Sequence, residues 1–116
     1  MPVEMSEARF AELVADALDA VPTEFAEAMD NVVVLAEEEN EEMPGILGLY
    51  HGVALTSRTS NYGGVLPDRI SIYRRPILDM CEDEDQVVEE VLITVVHEIA
   101  HHFGIDDARL HELGWG

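Results

Sequence analysis

Apolar residues recur at spacings of three and four early in the chain, at Phe10, Leu13, Val14, Ala17, Leu18 and Val21. This is the pattern of a helix that buries one face. Ser6 stands where an N-cap belongs, and Pro22 is expected to end the helix. Thr23 to Asp30 reads as a short second helical piece. The period then changes, because Val32-Val33-Val34-Leu35-Ala36 is a β-branched apolar run of strand length. The acidic run from Glu37 to Glu42, followed by Pro44-Gly45, predicts a solvated loop. Ile46 to Leu55 is apolar but interrupted by Gly48 and Gly52, so a strand or bent loop with a bulge is expected. Thr56 to Pro67 predicts a long connection. Arg69-Ile70-Ser71-Ile72-Tyr73-Arg74 alternates polar and apolar as a half-buried edge strand does, with Pro76 closing it. The longest periodic stretch comes next: Val88, Val91, Leu92, Val95, Val96, Ile99 and Phe103 keep helical spacing between a cap at Asp83 or Asp85 and a stop at Gly104. Asp106 is placed to cap a last short helix in which Leu110 and Leu113 point inward, with Trp115 near its end. An N-terminal helix, a small sheet of about three strands and a long helix laid on that sheet make an α+β domain.

A chain of 116 residues is long enough for one core and too short for two, so residues 1–116 are expected to form a single domain. Its formal charge is -19, from 25 acidic and 6 basic residues. Long-range repulsion of that size argues against nucleic acid and against an anionic membrane surface, and favours neutral or basic partners. The lone Cys81 excludes an internal disulfide and fits a reducing compartment. Flanked by Glu82 to Asp85, its thiol has an unfavourable setting for a nucleophile. The stretch from Met1 to Glu7 has neither a basic patch nor an apolar run, and no segment is apolar enough to span a bilayer; the cytoplasm is the expected location. The sequence leaves the oligomeric state open.

The polar stripe of the long helix carries the chemistry. Glu90, Thr94, His97 and His101 share it, and the stretch Val96-His97-Glu98-Ile99-Ala100-His101 has the HExxH form. Residues four apart on a helix are rotated by only about 40°, so the imidazoles of His97 and His101 project together and suit one tetrahedral Zn2+ ion. Glu98 is turned roughly 100° from His97, which places it to act on water rather than to bind the ion. A helix supplies two ligands before it runs past the metal. Gly104 is placed to turn the chain back, and Asp107 is the first choice for the third ligand. Asp106 is the better N-cap of that pair; His111, one turn beyond Asp107, is the alternative ligand. His102 falls off the ligand face and is expected to pack or to support the ligands from behind. The reaction class implied is hydrolysis of an amide or peptide bond, with Glu98 as general base and a peptide or protein as substrate. Tyr50, Tyr62, Tyr73, His51 and His111 are candidate donors for an oxyanion. The competing reading is a non-catalytic domain that keeps zinc for folding and binds a basic protein through its acidic surface.

From Val91 to Trp115 the chain resembles the zincin metallopeptidases, most nearly a group of small single-domain bacterial zincin-like proteins. The pattern His97-Glu98-x-x-His101-x-x-Gly104-x-x-Asp107 is similar to that of metzincin-type enzymes in which aspartate replaces the third histidine. The segment from Leu66 to Pro76 also looks like the one that precedes the active helix in the bacterial group. The resemblance implies a minimal zincin-like fold, zinc dependence, and an edge strand at Ile70 to Arg74 that takes an extended peptide by strand addition. It stops short of the metzincin methionine turn, since no methionine follows Asp107.

Overall fold

The computed structural model describes residues 3–29, 31–52, 67–105 and 107–112, except the side chains of Glu24, Ala28 and Asp107. The first helix, α1 (Glu7–Asp19), is capped as expected: the Ser6 hydroxyl accepts from the Arg9 N–H at 3.1 Å. Phe10, Leu13, Val14 and Ala17 are buried along one face of it. The helix ends at Ala20, ahead of Pro22, and Pro22 instead stands at the N-terminus of α2 (Thr23–Ala28). Three strands follow, β1 (Val32–Glu37), β2 (Gly48–His51) and β3 (Asp68–Tyr73), then the helices α3 (Arg74–Met80), α4 (Glu84–His102) and α5 (Asp107–Glu112). The expected connection from Thr56 to Pro67 lies outside the described residues up to position 66.

The strand order is β1-β3-β2, with β3 parallel to β1 and antiparallel to β2. This corrects the expectation for Arg69 to Arg74: the segment is the central strand. Ile70, Ser71, Ile72 and Tyr73 are all buried, and with neighbours on both sides β3 has no open edge for a peptide. The alternation is misleading because Ser71 and Tyr73, polar in type, are covered on the second face of the sheet. Pro76 does not end an extended segment either. It is the third residue of α3, where its missing N–H would have had no intrahelical acceptor.

The other face of the sheet carries Ile70 and Ile72 into the core, where α4 packs on β3 and α1 packs on α4 and β1. From α4, Val87, Val91, Val95 and Ile99 enter this core, joined by Ile77 and Leu78 of α3 and Leu110 of α5. The apolar period of α4 holds along the helix, except that Phe103 leaves the core and is 55% exposed. Asp83 caps the helix by accepting from the Gln86 N–H at 2.8 Å. At the other end Gly104 has φ +81, as a turning residue should. The Ile105 N–H bonds to the Ala100 carbonyl at 2.8 Å and the Gly104 N–H to that of His101 at 3.1 Å. These two bonds are the Schellman arrangement, which satisfies carbonyls that the helix end leaves over.

Gly48 makes no bulge. It pairs in regular register with Ile72, and glycine is required there because a Cβ would sit 2.6 Å from Thr94 Cγ2 and 3.1 Å from the Ser71 carbonyl. The strand therefore rests directly on α4. Two arginine clusters pin the periphery. Arg9 reaches from α1 to both carboxylate oxygens of Glu84, at 3.1 and 2.7 Å, and holds that carboxyl below its ordinary range. Arg74 grips Glu38 and the Met5 carbonyl, and Arg75 adds a 3.1 Å contact to Glu38, whose carboxyl is lowered first by Arg74 and then by Arg75. The acidic run after β1 thus does more than stay hydrated. Cys81 is buried, and burial, then Glu90 and Asp83, push its thiol up, in keeping with a non-reactive role. No helix among the described residues is long and apolar enough to cross a membrane.

Candidate metal centre

The polar stripe of α4 looks into a cleft of about 480 Å³, closed on the far side by the segment from Gly45 to Gly48 and lined by Glu90, Ile93, Thr94, His97, Glu98 and His101. Helical geometry brings the two histidines to one wall: their ring centroids are 5.9 Å apart and the planes stand at 70°. A pair of imidazoles at the rim of an open cleft suits zinc. Thr94 lies on that stripe as expected but is buried under Gly48, and its hydroxyl donates to the Glu90 carbonyl at 2.7 Å.

Glu98 is half-buried and held from the strand side. Its Oε1 accepts the backbone N–H of Tyr50 at 3.1 Å. The direction of that N–H follows from the sheet: the Leu47 carbonyl accepts from the Tyr73 N–H, so odd-numbered residues of β2 face β3, and the amide groups of Gly48 and Tyr50 face outward. Burial pushes the Glu98 carboxyl above its ordinary value, opposed by the Tyr50 N–H and by His101 and His97. A carboxyl raised by desolvation and kept in place by one donor has the character of a general base.

Tyr50 is fixed in turn. Its ring stacks on His102, with centroids 3.9 Å apart and planes at 13°, and its hydroxyl donates to Asp68 Oδ2 at 2.7 Å. His102 Nε2 lies 4.0 Å from the same oxygen, and Phe103 meets the His102 ring edge-on at 5.0 Å. His102 is therefore a packing residue, as its place on the helix implied. This clamp joins β2, β3 and the C-terminal end of α4, and it escapes the sequence because its members lie far apart along the chain, 48 residues in the case of Tyr50 and Glu98. The one local hint is the pair of glycines that bracket the strand.

The third ligand is a different matter. Asp107 opens α5, but its side chain lies outside the described part, as does Asp106. Among the described residues no group of three or more His, Cys, Asp or Glu side chains converges as a metal site. His111 is exposed on α5 and does not line the cleft. Of the candidate oxyanion donors, the Tyr50 hydroxyl is engaged by Asp68, the Tyr73 hydroxyl accepts from Asn40 Nδ2 at 3.1 Å away from the cleft, and His51 points to the second face of the sheet. Its Nε2 is buried without a hydrogen-bond partner among the described residues, and burial lowers its pKa. Tyr62 lies outside the described residues.

Comparison with known proteins accords with this geometry. The chain shares its fold with a conserved hypothetical protein from Thermo thermophilus, at a TM-score of 0.54 and 24% identity over 84% of this chain and 94% of that one. Among curated proteins none matches. The profile of the zincin-like metallopeptidases matches residues 18–115, which takes in every strand, the cleft and the HExxH helix. The fold, the helix that carries the two histidines, and this match over most of the chain together make it a member of the zincin-like metallopeptidase family.

Proposed function

We propose that the chain is a single-domain, zinc-dependent peptidase. The observation that carries this reading is the setting of Glu98: a half-buried carboxylate tied to a strand amide, beside two histidines at an open cleft. His97 and His101 would hold the ion, with Asp107 the first choice for the third donor. Zinc bound there supplies Lewis acidity that polarises a carbonyl and eases deprotonation of water.

The residues of the chain do the rest. Glu98 accepts a proton from water as the water oxygen bonds to the amide carbon, then passes that proton to the leaving nitrogen as the C–N bond breaks, giving a carboxylic acid and an amine. The Tyr50 N–H keeps Oε1 in place and leaves Oε2 to handle the proton. With β3 enclosed, the strand beside the cleft is β2, and an extended substrate would lie along its outer side.

Glu98→Gln should leave stoichiometric zinc in place and reduce peptide cleavage by about 10²-fold or more. Asp107→Ala should weaken zinc binding far more than Asp106→Ala, by elemental analysis after dialysis against a mild chelator. Cleavage undiminished in Glu98→Gln would overturn the reading. If chelation unfolds the domain and no peptide is ever cut, the ion serves the fold and the protein is a binding module.

A further inference from the structure

From His97 the cleft runs back along α4 for two turns, about 10 Å, over Thr94 and Ile93 to Glu90. Its sides there are apolar, formed by Ile93, Ile46 and Leu47, and its end is a carboxylate. The Glu90 side chain is half-buried, and its carboxylate makes no ion pair or hydrogen bond with the described residues. That sets it apart from Glu38 and Glu84, which arginines already neutralise. The chain has no lysine. Of the described arginines, Arg9, Arg74, Arg75 and Arg109 are paired with glutamates, and Arg69 lies on the second face of the sheet near His51. None of them lines the cleft.

We propose that this end of the cleft is a subsite for a cationic side chain, and that the substrates are peptides with lysine or arginine on the Glu90 side of the bond to be cut. The inference rests on the peptidase reading for the position of that bond. The chemistry of the subsite is independent of it: an aliphatic stem lies along Ile93, Ile46 and Leu47 while its charged head meets Glu90, the usual disposition of a long basic side chain. A partly desolvated pair of this kind gains more than the diffuse attraction of a surface at -19, and it discriminates by position.

The test uses zinc-loaded Glu98→Gln protein, to suppress turnover, and two labelled sets of otherwise neutral decapeptides that carry either one lysine or norleucine, which keeps the aliphatic stem and lacks the ammonium. Fluorescence anisotropy should show the lysine set bound at least about five-fold tighter. Adding Glu90→Gln should remove most of that preference, and adding Glu90→Lys should transfer it to a set carrying glutamate. Adding Glu89→Gln, an exposed neighbour of equal charge, should leave it intact. A lysine preference that survives Glu90→Gln, or that Glu89→Gln reduces equally, would overturn the subsite, as would equal binding or no binding of the two sets. Cleavage by the wild-type chain is scored separately. A Glu90-dependent preference without any cleavage sinks the peptidase reading and leaves the subsite, whereas cleavage indifferent to charge sinks the subsite alone.

Discussion

Helix α4 is held along two seams that differ in kind. Toward α1 and the buried face of the sheet it presents Val87, Val91, Val95 and Ile99, a continuous apolar ridge. Toward β2 it presents Thr94 and Glu98, and the join consists of a close approach at Gly48, one hydrogen bond from the Tyr50 amide, and the stack of Tyr50 on His102. The first seam tolerates small shifts because apolar contact is non-directional. The second depends on distance and direction, and it is the one beside the candidate chemistry. Stability and site geometry are thus supported along two neighbouring seams of one helix.

Mutations on the two sides should separate these contributions. The largest effect is expected in the core: Phe10→Ala, at a fully buried ring, should cost about 3–5 kcal/mol by urea denaturation, while the molecules that remain folded bind zinc as before. Gly48→Ala comes next, at about 1–3 kcal/mol, and here cleavage should fall by more than the folded fraction does. Thr94→Ser removes the methyl that the new Cβ would strike, so the double variant should recover both properties. A failure to recover would mean that the Ser71 carbonyl at 3.1 Å, rather than Thr94, sets the spacing. Tyr50→Phe keeps the stack and the amide but loses the bond to Asp68; about 0.5–1.5 kcal/mol is expected, with little change in cleavage.

The smallest effect concerns the periphery. Glu38 is held below its ordinary 4.5 by Arg74 and Arg75, so it binds a proton less readily folded than unfolded. Its contribution is present above the unfolded value and is lost as the pH falls through the folded one. Glu38→Gln should therefore lower Tm slightly near neutrality, and the difference from wild type should vanish in acid. Because both chains carry the same remaining charges, the comparison cancels the general relief of repulsion that acid brings to so anionic a protein. A gap that persists at low pH would show that Glu38 acts through packing.

What can be read from the sequence follows the same division. α1, β1 and α4 are legible, together with the Ser6 and Asp83 caps and the turn at Gly104, because each is dictated by residues within a few positions of one another. The HExxH residues are legible for the same reason. The order of the sheet is not: β2 joins β3 on the side away from β1, and nothing local encodes that. α3 escapes because Pro76 reads equally as a terminator and as a first-turn residue. Tyr50 stands out in the sequence for its hydroxyl, whereas the contact beside Glu98 is made by its amide. Glu90 reads as one member of the polar stripe with no role of its own, and its place at the end of a cleft requires the loop at Gly45 to Gly48.

That amide has an implication for how such a site persists through change. A backbone N–H is offered by every residue except proline, so the support of Glu98 does not depend on which side chain occupies position 50. Tyr50→Pro would abolish it, and almost any other replacement that keeps the strand in place would preserve it. The information is stored in strand registration instead of residue identity, and related chains can differ freely at this position while handing the same donor to the same carboxylate.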